Sequence, residues 1–130
     1  YGLINGDAHF GNLHYSPLER SYILFDLDLT TSRFRLYDLA TLLWDSEWKK
    51  GELKRGAKAL VKAYSAIRPL TNIERRALPT RMAARHLAWM GFQADLAERW
   101  ETIMVGEENH RRKLKFLRRW MAGELSKSLA

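Results

Sequence analysis

Apolar positions change their period near residue 36, and the change divides the chain in two. Before it, short apolar runs alternate with polar turns. Residues 1–4 read as the end of a strand, and residues 5–12, with Gly, Asp and Asn, as a loop. Leu13 to Tyr15, Ser16 to Arg20 and Ser21 to Phe25 read as strand, turn and strand, with Pro17 suited to an early turn position. Asp26 to Arg33 is polar and β-branched without helical period, which predicts a loop ending near Arg35. The pattern then turns helical. Asp38, Leu39, Leu42 and Leu43 lead into Trp44 with i, i+3, i+4 recurrence, and Gly51 separates that helix from a second over about 52–67. Its stripe is Leu53, Ala57, Leu60, Val61 and Tyr64, and Pro69 closes it. Thr71-Asn72-Ile73-Glu74 has the form of a capping box, and the helix it opens is expected to stop or kink at Pro79. A long segment over about 80–99 offers Met82, His86, Trp89, Met90 and Leu96 for packing. Gly106 reads as a break before a last helix over 107–124, with Leu114, Leu117 and Met121 inward.

These elements predict an α-rich α+β fold: a loop and small β-hairpin region over 1–35 and a helical region over 36–130, together one domain. At 130 residues the chain is long enough for one real core and short for two. No apolar run approaches a membrane span, and the absence of cysteine excludes disulfides and thiolate metal sites. A cytoplasmic protein without a signal peptide is expected, and a chain that starts at Tyr1 inside a strand reads as part of a larger one. The net charge of +7 is uneven: residues 1–45 carry three basic and six acidic side chains, a net of −3, so the rest is +10. The basic run Arg111 to Arg119 invites a nucleic-acid or lipid reading, yet it also fits a solvated helix face. No base-reading motif accompanies it, so neither nucleic acid nor membrane is the expected partner.

The chemistry lies in the first forty residues. Asp7 and Asn12 stand in the D-x4-N spacing of a kinase catalytic loop, where the Asp accepts a hydroxyl proton and the Asn holds Mg²⁺. Asp26 follows one hairpin later, at the end of an apolar run. Asn12 and Asp26 offer the oxygen ligands that Mg²⁺ prefers, with Asp7 beside them facing an acceptor. Asp and Asn are also ordinary turn residues, and that reading competes for each of them singly. His9 is read as orienting the loop through a backbone contact, with direct catalysis as its alternative. Asp38 has an N-cap reading as well. His86, among Ala, Leu and Trp, is read as packed or surface rather than as a ligand. The tryptophans are core by default, with Trp44, Trp48 or Trp89 as candidate pocket walls.

Gly6-Asp7-Ala8-His9-Phe10-Gly11-Asn12, then Phe25-Asp26-Leu27-Asp28, then Tyr37-Asp38-Leu39-Ala40, resembles the aminoglycoside phosphotransferase and choline kinase-like family. That family also includes homoserine kinase-like and bacterial stress-response kinases. Its pattern is H-G-D-x-H-x-x-N, a strand ending in D-x-D, and D-L-A opening a helix. The resemblance implies the C-terminal lobe of a protein-kinase-like fold. It implies transfer of the γ-phosphoryl group of ATP to an acceptor hydroxyl, with Mg²⁺. Asp7 would be the catalytic base, Asn12 and Asp26 the metal ligands, Asp28 an accessory ligand, and Asp38 a structural carboxylate bracing the loop. The first His of the pattern is Asn5 here, an amide that can serve as a hydrogen-bonding brace. The lobe that grips the nucleotide is expected outside this chain, which alone would not turn over. The acceptor, a small molecule or a protein hydroxyl, would rest against the helical part after residue 40. The competing expectation is a non-catalytic, pseudokinase-like module that binds a partner.

Overall fold

The computed structural model describes residues 1–50, 53–100 and 106–129. Among them, four short strands precede five α-helices. Helix accounts for 66% of the structure, which makes the class α+β and predominantly helical.

The strands form two antiparallel pairs rather than one sheet. β2 (Leu13–Ser16) and β3 (Ser21–Leu24) make the expected hairpin, with Leu13 opposite Leu24 and Ser16 opposite Ser21. Arg20 closes its turn at φ 49°. β1 (Gly2–Ile4) pairs with β4 (Thr31–Arg33), a strand inside the stretch read as loop. Three residues are too few to show an alternating pattern. The backbone of β1 nevertheless needs a partner for its amides and carbonyls, and Thr31–Arg33 supplies it.

Helix α1 (Leu36–Lys50) is the centre of the molecule, packed on α2 (Leu53–Ile67) and on α3 (Asn72–Trp100). α4 (Glu107–Met121) and α5 (Glu124–Leu129) close the far side against α3 and α2. The core joins Leu39, Leu43 and Trp44 of α1 to Ala57 and Val61 of α2, Leu78 and Met82 of α3, Phe116 of α4 and Leu125 of α5. α3 begins as its capping box requires: the Glu74 amide donates to Thr71 Oγ1 at 3.2 Å, and the Thr71 amide to Glu74 Oε2 at 2.9 Å.

Three helical expectations change. α3 runs through Pro79 without stopping, because Leu78 and Met82 on either side are buried in the core and outweigh one lost backbone bond. α4 turns a partly different face inward: Leu117 packs against the core as expected, but Lys113 and Phe116 are the buried residues and Trp120 packs beside them, whereas Leu114 and Met121 are exposed. α4 also ends at Met121, and Gly123 at φ 71° turns the chain into α5, which the sequence reading merged with it. The expected break at Gly51 lies outside the described residues, and Gly106 is the residue that precedes α4.

His86 on α3 is fully buried among aromatic rings. The Trp44 indole donates to its Nδ1 at 3.0 Å, so Nε2 carries the proton and donates to the Lys113 carbonyl at 3.1 Å. Phe116 stacks on the ring at 4.3 Å. Burial holds the imidazole neutral, with its pKa lowered to about 4. Both nitrogens are used, as befits a packing residue.

Candidate functional site

The loop between β1 and β2 is held in place by hydrogen bonds to its own backbone. The Asp38 carboxylate, in the first turn of α1, accepts from the Asn5 amide at 2.8 Å and the Gly6 amide at 3.0 Å. Asp38 therefore does not act as an N-cap; it lies inside the helix and turns its charge to the loop. Two turns further along α1, Asp45 Oδ2 accepts from the Phe10 amide at 3.0 Å. Two buried or half-buried carboxylates on one helix face thus tether both ends of the segment that carries Asp7.

Asn5 connects this loop to the end of the hairpin. Its Oδ1 accepts from the Asp7 amide at 3.0 Å, and its Nδ2 donates to the Asp26 carbonyl at 3.0 Å. Asp26 itself stands at φ 61°, a left-handed conformation that costs a non-glycine residue about 1–2 kcal/mol. The Asn5 bond helps hold it there. Gly6 stands at φ 84°, and a Cβ at that position would lie 2.3 Å from the Leu29 carbonyl oxygen, so the loop packs against the chain after Asp26 through a position open only to glycine.

Asn12 closes the arrangement. Its Nδ2 donates to the Asp7 carbonyl at 3.2 Å, and its own carbonyl accepts from the Phe25 amide at 3.1 Å, next to Asp26. Its side-chain amide nitrogen is thereby engaged, which leaves Oδ1 as the oxygen available for a cation. Among the described residues no three His, Cys, Asp or Glu side chains cluster as a metal site. Asn12 Oδ1 and the Asp26 carboxylate are oxygen donors of the type Mg²⁺ prefers, an ion that takes few protein oxygens and completes its shell with water and phosphate.

His9 caps the short 3₁₀ turn Phe10–Asn12, its Nδ1 accepting from the Gly11 amide at 2.9 Å. The ring proton therefore sits on Nε2, 3.6 Å from Asp7 Oδ2. The opposite oxygen, Asp7 Oδ1, is taken by Arg85 Nη2 of α3. Arg85 is 8% exposed, and its guanidinium lies 5.2 Å from the centre of the Trp44 ring. Asp28 is exposed and lines a cleft of about 340 Å³ beside Gly6, bounded also by Arg85. Most of that cleft is built from residues before position 40.

The fold thus brings Asn5, Asp7, His9, Asn12, Asp26 and Asp38 together. Two residues of the site escaped the sequence reading. Asp45 carries a signal: it stands seven positions after Asp38, on the same helix face. Arg85 stands three positions after Met82 and next to His86, where a charge on a buried stripe marks a partner elsewhere in the chain.

No family model matches the chain, and no solved structure does. An uncharacterized protein of Deinococcus radiodurans is 36% identical over 124 residues, an alignment that covers 92% of this chain and 36% of that protein. The chain spans about a third of the length of the relative it matches.

Proposed function

We propose that this chain is the C-terminal lobe of a kinase-like phosphotransferase, of the type its motifs resemble, moving the γ-phosphoryl group of ATP to an acceptor hydroxyl. One observation carries the reading: Asp38 and the Asn5 side chain join three separated motif elements, the Asp7 loop, the Asp26 junction and the start of α1, through four hydrogen bonds.

In this reading the Asp7 carboxylate takes the proton of the acceptor hydroxyl while that oxygen bonds to phosphorus and the bond to the ADP oxygen breaks. Arg85 holds one oxygen of that carboxylate, and His9 Nε2 lies 3.6 Å from the other. Asn12 and Asp26 would hold Mg²⁺, which when bound offsets the charge of the phosphates. The lobe that covers the nucleotide lies outside this chain, and the setting is cytoplasmic, where ATP and Mg²⁺ are supplied.

A second reading, a non-catalytic module that binds a partner, draws on two observations: Arg85 occupies an oxygen of Asp7, and Asn5 replaces the family's His. The full-length protein separates the two. Asp7→Asn is expected to keep Mg²⁺-dependent ATP binding and to slow transfer by about 100-fold or more. Asp26→Ala is expected to lose both. Absence of nucleotide binding by the unaltered protein would leave the partner-binding module standing.

A further inference from the structure

The cleft beside Gly6 touches the proposed catalytic carboxylate through a single side chain. Arg85 pairs with Asp7 by Nη2 and lines the cleft as well. A guanidinium carries five N–H groups. The buried Nε–H of Arg85 has no acceptor among the described residues. The hydrogen-bonding capacity of the guanidinium is therefore incompletely used among the described residues, although its charge is paired with Asp7, and the side chain lines the wall of an open cavity. Arg33 of β4 lines the same cleft, Asp28 is the one carboxylate on its wall, and Thr30, Thr31 and Tyr37 add hydroxyl groups. At about 340 Å³ the cleft is at the small end of ligand sites, the size of a metabolite.

We infer that this cleft is the acceptor subsite and that it takes a small hydroxylated anion, its carboxylate or phosphate held between Arg85 and Arg33 and its hydroxyl presented to Asp7. The inference rests on the phosphotransferase reading for the role of Asp7, but the anion site itself does not. The planar fork of Arg85 can hold Asp7 on one edge and the acceptor's oxygens on another, since guanidinium favours paired, in-plane contacts with oxyanions. Arg85 then sets the distance between the acceptor's charged end and the base that takes its proton. A neutral polyol of the same size would use neither the exposed charge of Arg33 nor the N–H groups of Arg85 beyond its pair with Asp7. A polycationic acceptor would meet both arginines directly.

The test uses the full-length protein with its arginines labelled with ¹⁵N. Inorganic phosphate, glycerate and, as the uncharged control, glycerol are titrated at matched ionic strength, with and without ATP and Mg²⁺. Phosphate or glycerate is expected to move the Arg85 Nε–H signal, and whichever binds more tightly names the preferred anion. Arg85→Met and Arg33→Met are each expected to weaken that binding by about tenfold. Arg33 is exposed, so its replacement keeps the fold even where loss of Arg85 does not. Equal binding of glycerol, an unchanged affinity in folded Arg33→Met, or displacement of the anion by ATP would overturn the inference. The last outcome would assign the arginines to the nucleotide's own phosphates. ATP binding without anion binding defeats this inference alone, whereas anion binding through Arg85 in a protein that binds no nucleotide defeats the phosphotransferase reading and leaves the anion site in place.

Discussion

The helical body and the β-and-loop platform on it are built by different forces. Among the described residues, fifteen hydrophobic side chains are buried, and only Ile4 and Ala8 of these precede residue 36. Of eighteen large hydrophobic side chains left exposed, twelve lie within residues 1–34. Apolar burial therefore stabilises the body and does little for the platform. The platform is positioned instead by polar tethers that reach out of the body: Asp38 and Asp45 from α1 and Arg85 from α3. A hydrogen bond is directional where apolar contact is not, so this division suits a loop whose carboxylate must point one way.

The contrast can be broken from either side. The largest effect is expected in the body, at His86. Its folded pKa of about 4 lies below the ordinary 6.5, so between those values the unfolded chain binds a proton that the folded chain does not. Stability is fully present above pH 6.5 and falls as the pH drops, by about 3 kcal/mol once pH 4 is passed. Urea unfolding at a series of pH values measures it, and His86→Gln should flatten the limb between pH 6.5 and 5. An unchanged limb in that variant would place the acid sensitivity elsewhere.

A smaller and local effect is expected at the tether. Asp38→Ala leaves the amides of Asn5 and Gly6 without their acceptor, at a cost of about 2 kcal/mol. Amide exchange should quicken at Asn5 and Gly6 while Leu39 and Leu43 stay protected. Equal loss of protection in both regions would mean that loop and body unfold as one unit. The smallest effect is expected from Leu27→Ser, at a side chain 60% exposed: a change in stability within about 0.5 kcal/mol by urea unfolding. A larger loss there would show apolar burial in the platform after all.

Legibility in the sequence divides along the same line. The helices were readable because a face that must be buried repeats every three or four residues, and Thr71 with Glu74 marks the start of α3 by chemistry alone. The hairpin was readable from its turn. β4 was not, because three residues cannot show a period and its pairing with β1 joins segments nearly thirty residues apart. In α4 the helix was legible but its inward face only in part, at Leu117, since Phe116, Trp120 and the stem of Lys113 compete with Leu114 and Met121 for the core. Within the site, the residues near Asp7 announced themselves as motifs. Asp45 and Arg85 act from helices and belong to no local pattern, so only the folded chain brings them to the loop.

The two carboxylates of α1 have a consequence for how such a chain can change over time. Asp38 and Asp45 are seven positions apart, which at the helical repeat returns the second to within about 20° of the first. The helix is thus a ruler with two marks. One residue inserted or deleted between them would swing Asp45 by about 100° and release Phe10, although every side chain named above were still present. Whatever substitutions α1 accepts along its faces, the length of this interval cannot drift.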